Sequence, residues 1–384
     1  MNPVIALVCV LTFVHYVCAQ MRGPVLALYA AAHGATPTGV GVILGAHMAV
    51  AAAGSIPLGR AADLIGRRAL LLAGTAMTSV SSLLLPLVDT EPALAIVYGL
   101  AGLGVAAFTP SAMSIVGDVA APGAAGRAYA WYATAHYGAI GVGPFVGGVI
   151  AQYGGPRTVF VVAGVMAAMT LGLGLTLAVP RPAGIQPSAT GFVEIRANTS
   201  VWAGWLLAAS GLLTQGVVFT FFPLLADQRG MTPVAIGLVF LILGVANTAA
   251  RIPAGWLVDR TKSTVPYAVG GVLTSAIATA LLPHAATGLS LWSLVAVFGA
   301  TGGLAGVAIG VALAAAAPAA RGLVMGGYST ALYLGLAIGS FAFGPLIARH
   351  GYATGFEAGA AASGLVALAA AGLWLRPYRK AKPT

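Results

Sequence analysis

Unbroken apolar runs of about twenty residues, separated by short polar or turn-forming breaks, recur along the whole chain. Each is long enough to cross roughly 30 Å of hydrocarbon as a helix. The period-two alternation expected of a membrane β-barrel is missing. Because backbone groups find no water in lipid, the spans are expected to be helical. The pattern predicts twelve of them, at 3–31, 38–58, 69–88, 93–117, 128–151 and 157–180, then 200–226, 233–257, 265–284, 290–315, 322–349 and 354–376. Breaks such as "DTEP" at 89–92 and "QYGGP" at 152–156 are turn sequences.

Composition fixes the solvent. Of 384 residues 59% are hydrophobic and 7% charged, against about 25% charged in soluble domains. The stretch from Met1 to Tyr29 lacks a basic start and runs past the length of a signal-peptide core, so it reads as the first span. Cys9 and Cys18 fall inside it and are expected to pack rather than to pair. The net charge of +10 comes from basic residues scattered among short loops, which argues against nucleic acid as a partner. With the N-terminus inside, 13 of the 18 Lys and Arg residues fall on the cytoplasmic side. This predicts both termini in the cytoplasm of a cell-membrane protein, with a lipid-headgroup role secondary.

A repeat divides the chain. "IPLGRAADLIGRR" (Ile56 to Arg68) is echoed by "IPAGWLVDR" (Ile252 to Arg260), so that Ile56, Pro57, Gly59 and Asp63 return 196 residues later as Ile252, Pro253, Gly255 and Asp259. "GATPTGVG" (34–41) returns at the same offset as "GMTPVAIG" (230–237). The longest polar, Pro-containing stretch lies between, at 181–199. The expectation is an all-α membrane protein of two pseudo-symmetric six-helix bundles, 1–180 and 200–384 with a short tail, joined by that linker. Parallel repeats of this kind place a transport site between the bundles.

"GRAADLIGRR" resembles the signature loop between helices 2 and 3 of the major facilitator superfamily. Gly59, Asp63, Gly66, Arg67 and Arg68 match it, while Ala61 stands where the signature has Leu. The echo keeps Gly255, Leu257, Asp259 and Arg260, then departs at Thr261 and Lys262. "GPFVGG", with Gly143, Pro144, Gly147 and Gly148, resembles the helix-5 motif of the drug/proton antiporter branch, although its upstream glycine is Ala139 here. The branch's helix-4 motif carries an Arg four residues before the Gly of "GLGVAA"; that position is Tyr98, followed by Gly102. The resemblance implies a twelve-helix secondary transporter working by alternating access, and an exporter of small amphipathic or drug-like compounds.

The residues carry their own chemistry. Asp63 beside a helix N-terminus and Arg67 and Arg68 beside C-terminal ends would gain from helix dipoles and from each other, forming a gate on the cytoplasmic face with Gly59, Gly66, Gly255, Asp259 and Arg260; topology alone explains the Arg residues but not the repeated Gly and Asp. Gly143 and Gly147 form a GxxxG approach face and Pro144 frees a carbonyl, a reading that packing alone would also satisfy. Gly302, Gly306 and Gly310, and Gly335 with Gly339, read as packing or sliding stripes.

Polar groups inside spans are costly and are candidates for substrate binding. They are Arg22 and His15 on helix 1, Tyr98 on helix 4, His136 on helix 5, Gln215 on helix 7, Asn247 and Arg251 on helix 8, and Tyr333 on helix 11, with His47 on helix 2. Arg251 could instead snorkel to the cytoplasmic end. No Asp or Glu lies deep in a span; Glu357 comes nearest. Proton coupling, if present, falls to His15, His47 or His136. With Arg and His but no carboxylate, a transporter of small organic anions is the alternative to the exporter. No nucleophile–base pair, metal cluster or phosphate-cradling loop is present, so an enzyme, an ATP-driven pump and a bound cofactor are not expected. A monomer acting on a small molecule is.

Overall fold

The computed structural model describes residues 2–121, 124–179, 195–196, 198–261, 263–317 and 321–374. Every regular element in it is helical: α1 Pro3–Ala32, α2 Pro37–Ile65, α3 Arg67–Leu84, α4 Glu91–Val119, α5 Ala125–Gly154, α6 Pro156–Gly174, α7 Thr199–Gln228, α8 Pro233–Thr261, α9 Val265–Leu281, α10 Leu289–Ala316 and α11 Arg321–Trp374, with short 3₁₀ turns after α3 and α9. Ten of these stretches are long and apolar enough to cross a membrane. α5 is not among them, its hydropathy diluted by Tyr, His and Gly. The linker expected at 181–199 and the tail lie almost wholly outside the described residues.

The helix count departs from twelve. α11 is one 54-residue element with a single non-helical residue inside it, Gly351 at φ 85°. A straight helix of that length would reach about 80 Å. The two arms at 321–350 and 352–374 instead fold onto each other, so that a Cβ at Gly355 would overlap Ile347. Helix ends also run past the hydropathy limits. α2 continues to Ile65 through the stretch expected as a loop from 59 to 68, and stops at Gly66, φ 111°. Hydropathy reports where lipid ends; α2 continues as a helix into water.

The 196-residue repeat has a structural basis. Thr36 accepts from the amide of Gly39 at 3.2 Å, and Thr232 from that of Ala235 at 3.2 Å. Each is an N-cap followed by Pro at the first helical position, where its missing N–H and fixed φ are favourable. Gly34 and Gly230, at φ 90° and 73°, supply the left-handed turn before each cap.

The helices alternate between a proximal face, which carries Asn2, Gly66 and Thr199, and a distal face, which carries Ala32, Pro37, Pro233 and His350. Helices α1–α6 meet α7–α11 chiefly along two seams, α2 with α11 and α5 with α8, with a smaller contact of α1 with α7. Both are backbone-close near the distal face. A Cβ at Gly41 would sit 2.5 Å from the Ser340 carbonyl oxygen, and one at Gly344 2.8 Å from that of Pro37. On the other seam, a Cβ at Gly237 would sit 2.7 Å from the Pro144 carbonyl oxygen, and further down, near mid-helix, one at Gly141 would lie only 3.0 Å from Gly244 Cα. Toward the proximal face the repeat-related Gly59 and Gly255 both face open space. The seams are therefore shut distally.

Candidate functional site

Chemistry-bearing side chains collect in two layers under the shut seams. The upper layer lies within α1, α2 and α4, about 10–15 Å below the distal helix ends at 1.5 Å rise per residue. Arg22 is fully buried there. Its Nε donates to the Cys18 carbonyl at 3.2 Å and its guanidinium lies 5.4 Å from the Tyr98 ring centre. Neither terminal nitrogen of Arg22 has a hydrogen-bond partner. His47 shares a 3.0 Å hydrogen bond with the Tyr98 carbonyl and stacks on its ring at 4.4 Å. α2 and α4 come this close because Gly102 lets the His47 carbonyl in.

The lower layer lies about 25 Å below the distal ends and spans both groups of helices. His15 stacks on Phe108 at 3.8 Å, with both ring nitrogens buried and unpartnered. Tyr16 shares a 2.5 Å hydrogen bond with Thr109. Since Thr109 donates to the Val105 carbonyl at 2.9 Å, Tyr16 is the donor to it. Tyr333 reaches the same oxygen from α11 at 3.5 Å. His136 packs edge-on to Tyr16 at 4.0 Å and lies beside Tyr132 and Tyr137.

Arg251 completes this layer from α8. Its Nε donates to Asn247 Oδ1 at 3.1 Å, and Asn247 Nδ2 donates to the Gly299 carbonyl at 3.1 Å. Both ends of the amide are thus used, and the guanidinium is held over the Tyr137 ring at 3.3 Å, across the seam. That contact, rather than snorkelling alone, accounts for its place. Gly302 and Gly306 on α10 line the same side chains, where a Cβ would come 3.4 Å from Asn247 Nδ2 and 3.6 Å from an Arg251 terminal nitrogen; Gly335 and Gly339 serve α11 by admitting the backbone of α7. Gln215 is half-buried on α7; no side-chain hydrogen bond ties it to either layer among the described residues.

The proximal cluster gains Asp118, a residue outside its sequence reading. Arg67 is the first residue of α3 and one of its partners is Asp118, one residue before the end of α4. Each charge stands at the helix end its dipole disfavours, so pairing offsets both. Arg68 donates to the Leu175 carbonyl at 2.6 Å, at the C-terminal end of α6, where a cation is favoured. Gly59 is in open space, and the Asp63 side chain lies outside the described residues. In the echo, Asp259 is exposed and Arg260 lies 5.0 Å over Trp256, one turn back. The helix-5 motif packs in two directions. Gly143 and Gly147 admit the backbone of α1, whereas Gly148 and the Pro144 carbonyl meet Pro233 and Gly237 of α8.

Asp118, Tyr16, Phe108, Thr109, Tyr132 and Tyr137 were not singled out by spacing. Only the aromatic run "YAWYATAHY" at 129–137 could have drawn attention to the last two.

A family profile described as Major Facilitator Superfamily matches residues 8–340. A transporter of Methanocaldococcus jannaschii, described as an uncharacterised MFS-type transporter, is 23% identical over 330 residues, covering 84% of this chain and 85% of its own. Among solved structures, an inward-facing bacterial homologue of the human lysosomal transporter Spinster superposes with a TM-score of 0.77 at 15% identity, covering 97% of each chain. The nucleoside transporter NupG gives 0.79 at 12% identity, over 98% of this chain and 100% of its own. A D-xylose–proton symporter gives 0.77 at 19%, over 98% and 97%. At these identities the likeness shows the fold. The family profile carries the superfamily; the drug/proton antiporter branch that the helix-5 motif resembles is not supported by these relatives.

Proposed function

The chain belongs to the major facilitator superfamily, and from that premise we propose that it carries a small amphipathic, ring-bearing solute across the cell membrane by alternating access. The observation that carries this reading is the lower layer. Side chains of α1, α4 and α5 meet those of α8 and α11 there, beneath seams that are backbone-close toward the distal face. A solute seated among Tyr16, His136, Tyr137 and Tyr333 would touch both groups of helices, and rocking of one group on the other would expose it to either side. Aromatic faces with a few hydroxyls suit a ring with polar edges.

We read the two arms of α11 as separate spans, which gives twelve, and 1–180 and 200–384 as the two rocking bundles. Arg67, Arg68, Asp118 and Asp63 form the proximal gate in this account. Export is the direction we propose, on the ground of the helix-5 sequence from Gly143 to Gly148. Cells expressing the wild type or Arg251→Gln would be compared for content of a panel of radiolabelled small ring compounds. Lower content with the wild type supports export, higher content reverses the direction, and equal content for every compound contradicts the reading. Orientation has its own check. Reporter fusions after Pro92 and Thr261 should score outside and inside respectively; the reverse would overturn the cytoplasmic placement of the termini.

A further inference from the structure

One stripe of α1 carries an unusual set of loose ends. Thr12, His15 and Arg22 follow one another on a single face, at spacings of three and seven residues. Thr12 Oγ1, both ring nitrogens of His15 and both terminal nitrogens of Arg22 are buried without a hydrogen-bond partner. All three residues are fully buried, and Ala19, one turn before Arg22, is a small residue on the same face. Across from the stripe stand Phe108 and Tyr98 of α4, stacked on His15 and lying under the guanidinium.

The missing counter-charge cannot come from a helix interior. Of the eight acidic residues, Asp63, Asp89, Glu91, Asp118, Asp227, Asp259 and Glu357 each sit within six residues of a helix end, and Glu194 lies outside the described residues. A guanidinium this deep needs compensation, because an unpaired buried charge is strongly unfavourable. Its two terminal nitrogens form a fork that fits two oxygens in one plane.

Resting on the transporter reading above, we propose that this stripe is the anchoring subsite for a carboxylate of the transported solute, with both oxygens taken by Arg22. One guanidinium matches one negative charge, which favours a carboxylate over a doubly charged phosphate. His15 in the lower layer and Thr12 just beyond it then face the polar edge of the ring-bearing remainder seated there. The solute is thereby an amphipathic monoanion.

The test uses the purified full-length protein in nanodiscs with acetate, benzoate, 4-phenylbutyrate and the neutral 4-phenylbutyramide as probes, read by calorimetry. The wild type should bind 4-phenylbutyrate and not the amide. Arg22→Gln should weaken the acid about 10- to 100-fold, the loss expected for a charge-assisted pair. Arg22→Lys, which keeps the charge and loses the fork, should fall between, and carries the test if the glutamine variant does not fold. Equal binding of acid and amide, unchanged acid binding in the variants, or no acid bound by the wild type would each overturn the subsite. An altered cellular content of neutral ring compounds alongside any of those results would leave the transport reading standing.

Discussion

Arg251→Gln should slow transport by about 10- to 100-fold while leaving the protein folded and inserted. The guanidinium is tied to Asn247 at 3.1 Å and lies over Tyr137 at 3.3 Å. The first contact is a charge-assisted hydrogen bond of roughly 1.5–3 kcal/mol, and the second a cation–π contact of roughly 0.5–2 kcal/mol. Asn247 and Arg251 belong to α8 but Tyr137 to α5, so the second contact links the rocking groups and must re-form in every cycle. Fold stability depends on it less, since the residue is only half-buried. Arg251→Lys keeps a cation for the ring and loses the Nε donor, and should give an intermediate rate. Initial rates in proteoliposomes, normalised to inserted protein, decide the matter. A wild-type rate for Arg251→Gln would remove this residue from the site.

Gly141→Val should have the larger effect on conformation. A Cβ at Gly141 already lies 3.0 Å from Gly244 Cα, so the valine methyl groups have nowhere to go while the α5–α8 seam is shut. Overpacking of this sort costs about 1–3 kcal/mol, and with the contact assigned in this account to the distally closed state, that energy becomes a population shift of about 5- to 150-fold. On a background with Cys9 and Cys18 replaced by serine, Ser340→Cys provides the reporter, because Ser340 is buried on the other seam beside Gly41. An impermeant maleimide added on the distal side should label it faster in Gly141→Val than in the parent. Equal labelling would mean the seam does not move.

Much of this organisation is legible in the chain, and the reasons are physical. Helical spans follow from apolar runs because lipid leaves the backbone no other partner. The Thr-Pro repeat at Thr36 and Thr232 marks helix starts because capping is local. Sequence spacing is blind to contacts between helices. Arg67 is expected to act with Asp63, whose side chain lies outside the described residues; the structure adds Asp118 on α4 as a partner of Arg67, a residue far away in sequence. Thr109 gave no signal either. A threonine that returns a hydrogen bond to its own helix, as Thr109 does to Val105, is unremarkable in an apolar run, and its role as a hub for Tyr16 and Tyr333 exists only once three helices meet. The end of α2 lies beyond the predicted span because hydropathy tracks the lipid boundary rather than the backbone, whereas the break at Gly351 falls inside the gap predicted at 350–353 and is only narrower than it. Arg22, Arg251, Tyr98, His15 and His136 were legible as costly residues inside spans, but not as two layers at different depths.

Alternating access is tested most directly by two distances in one protein. Ala32 and Gln228 are repeat-related, exposed ends of α1 and α7 on the distal face, and Gly59 and Gly255 are repeat-related positions toward the proximal face with open space around them. Spin labels on each pair, in nanodiscs and on the cysteine-free background, would be measured by pulsed electron resonance with and without Gly141→Val. The account predicts opposite changes: the Ala32–Gln228 separation lengthens in the variant while the Gly59–Gly255 separation shortens. Two distances that stay fixed, or that lengthen together, would contradict it.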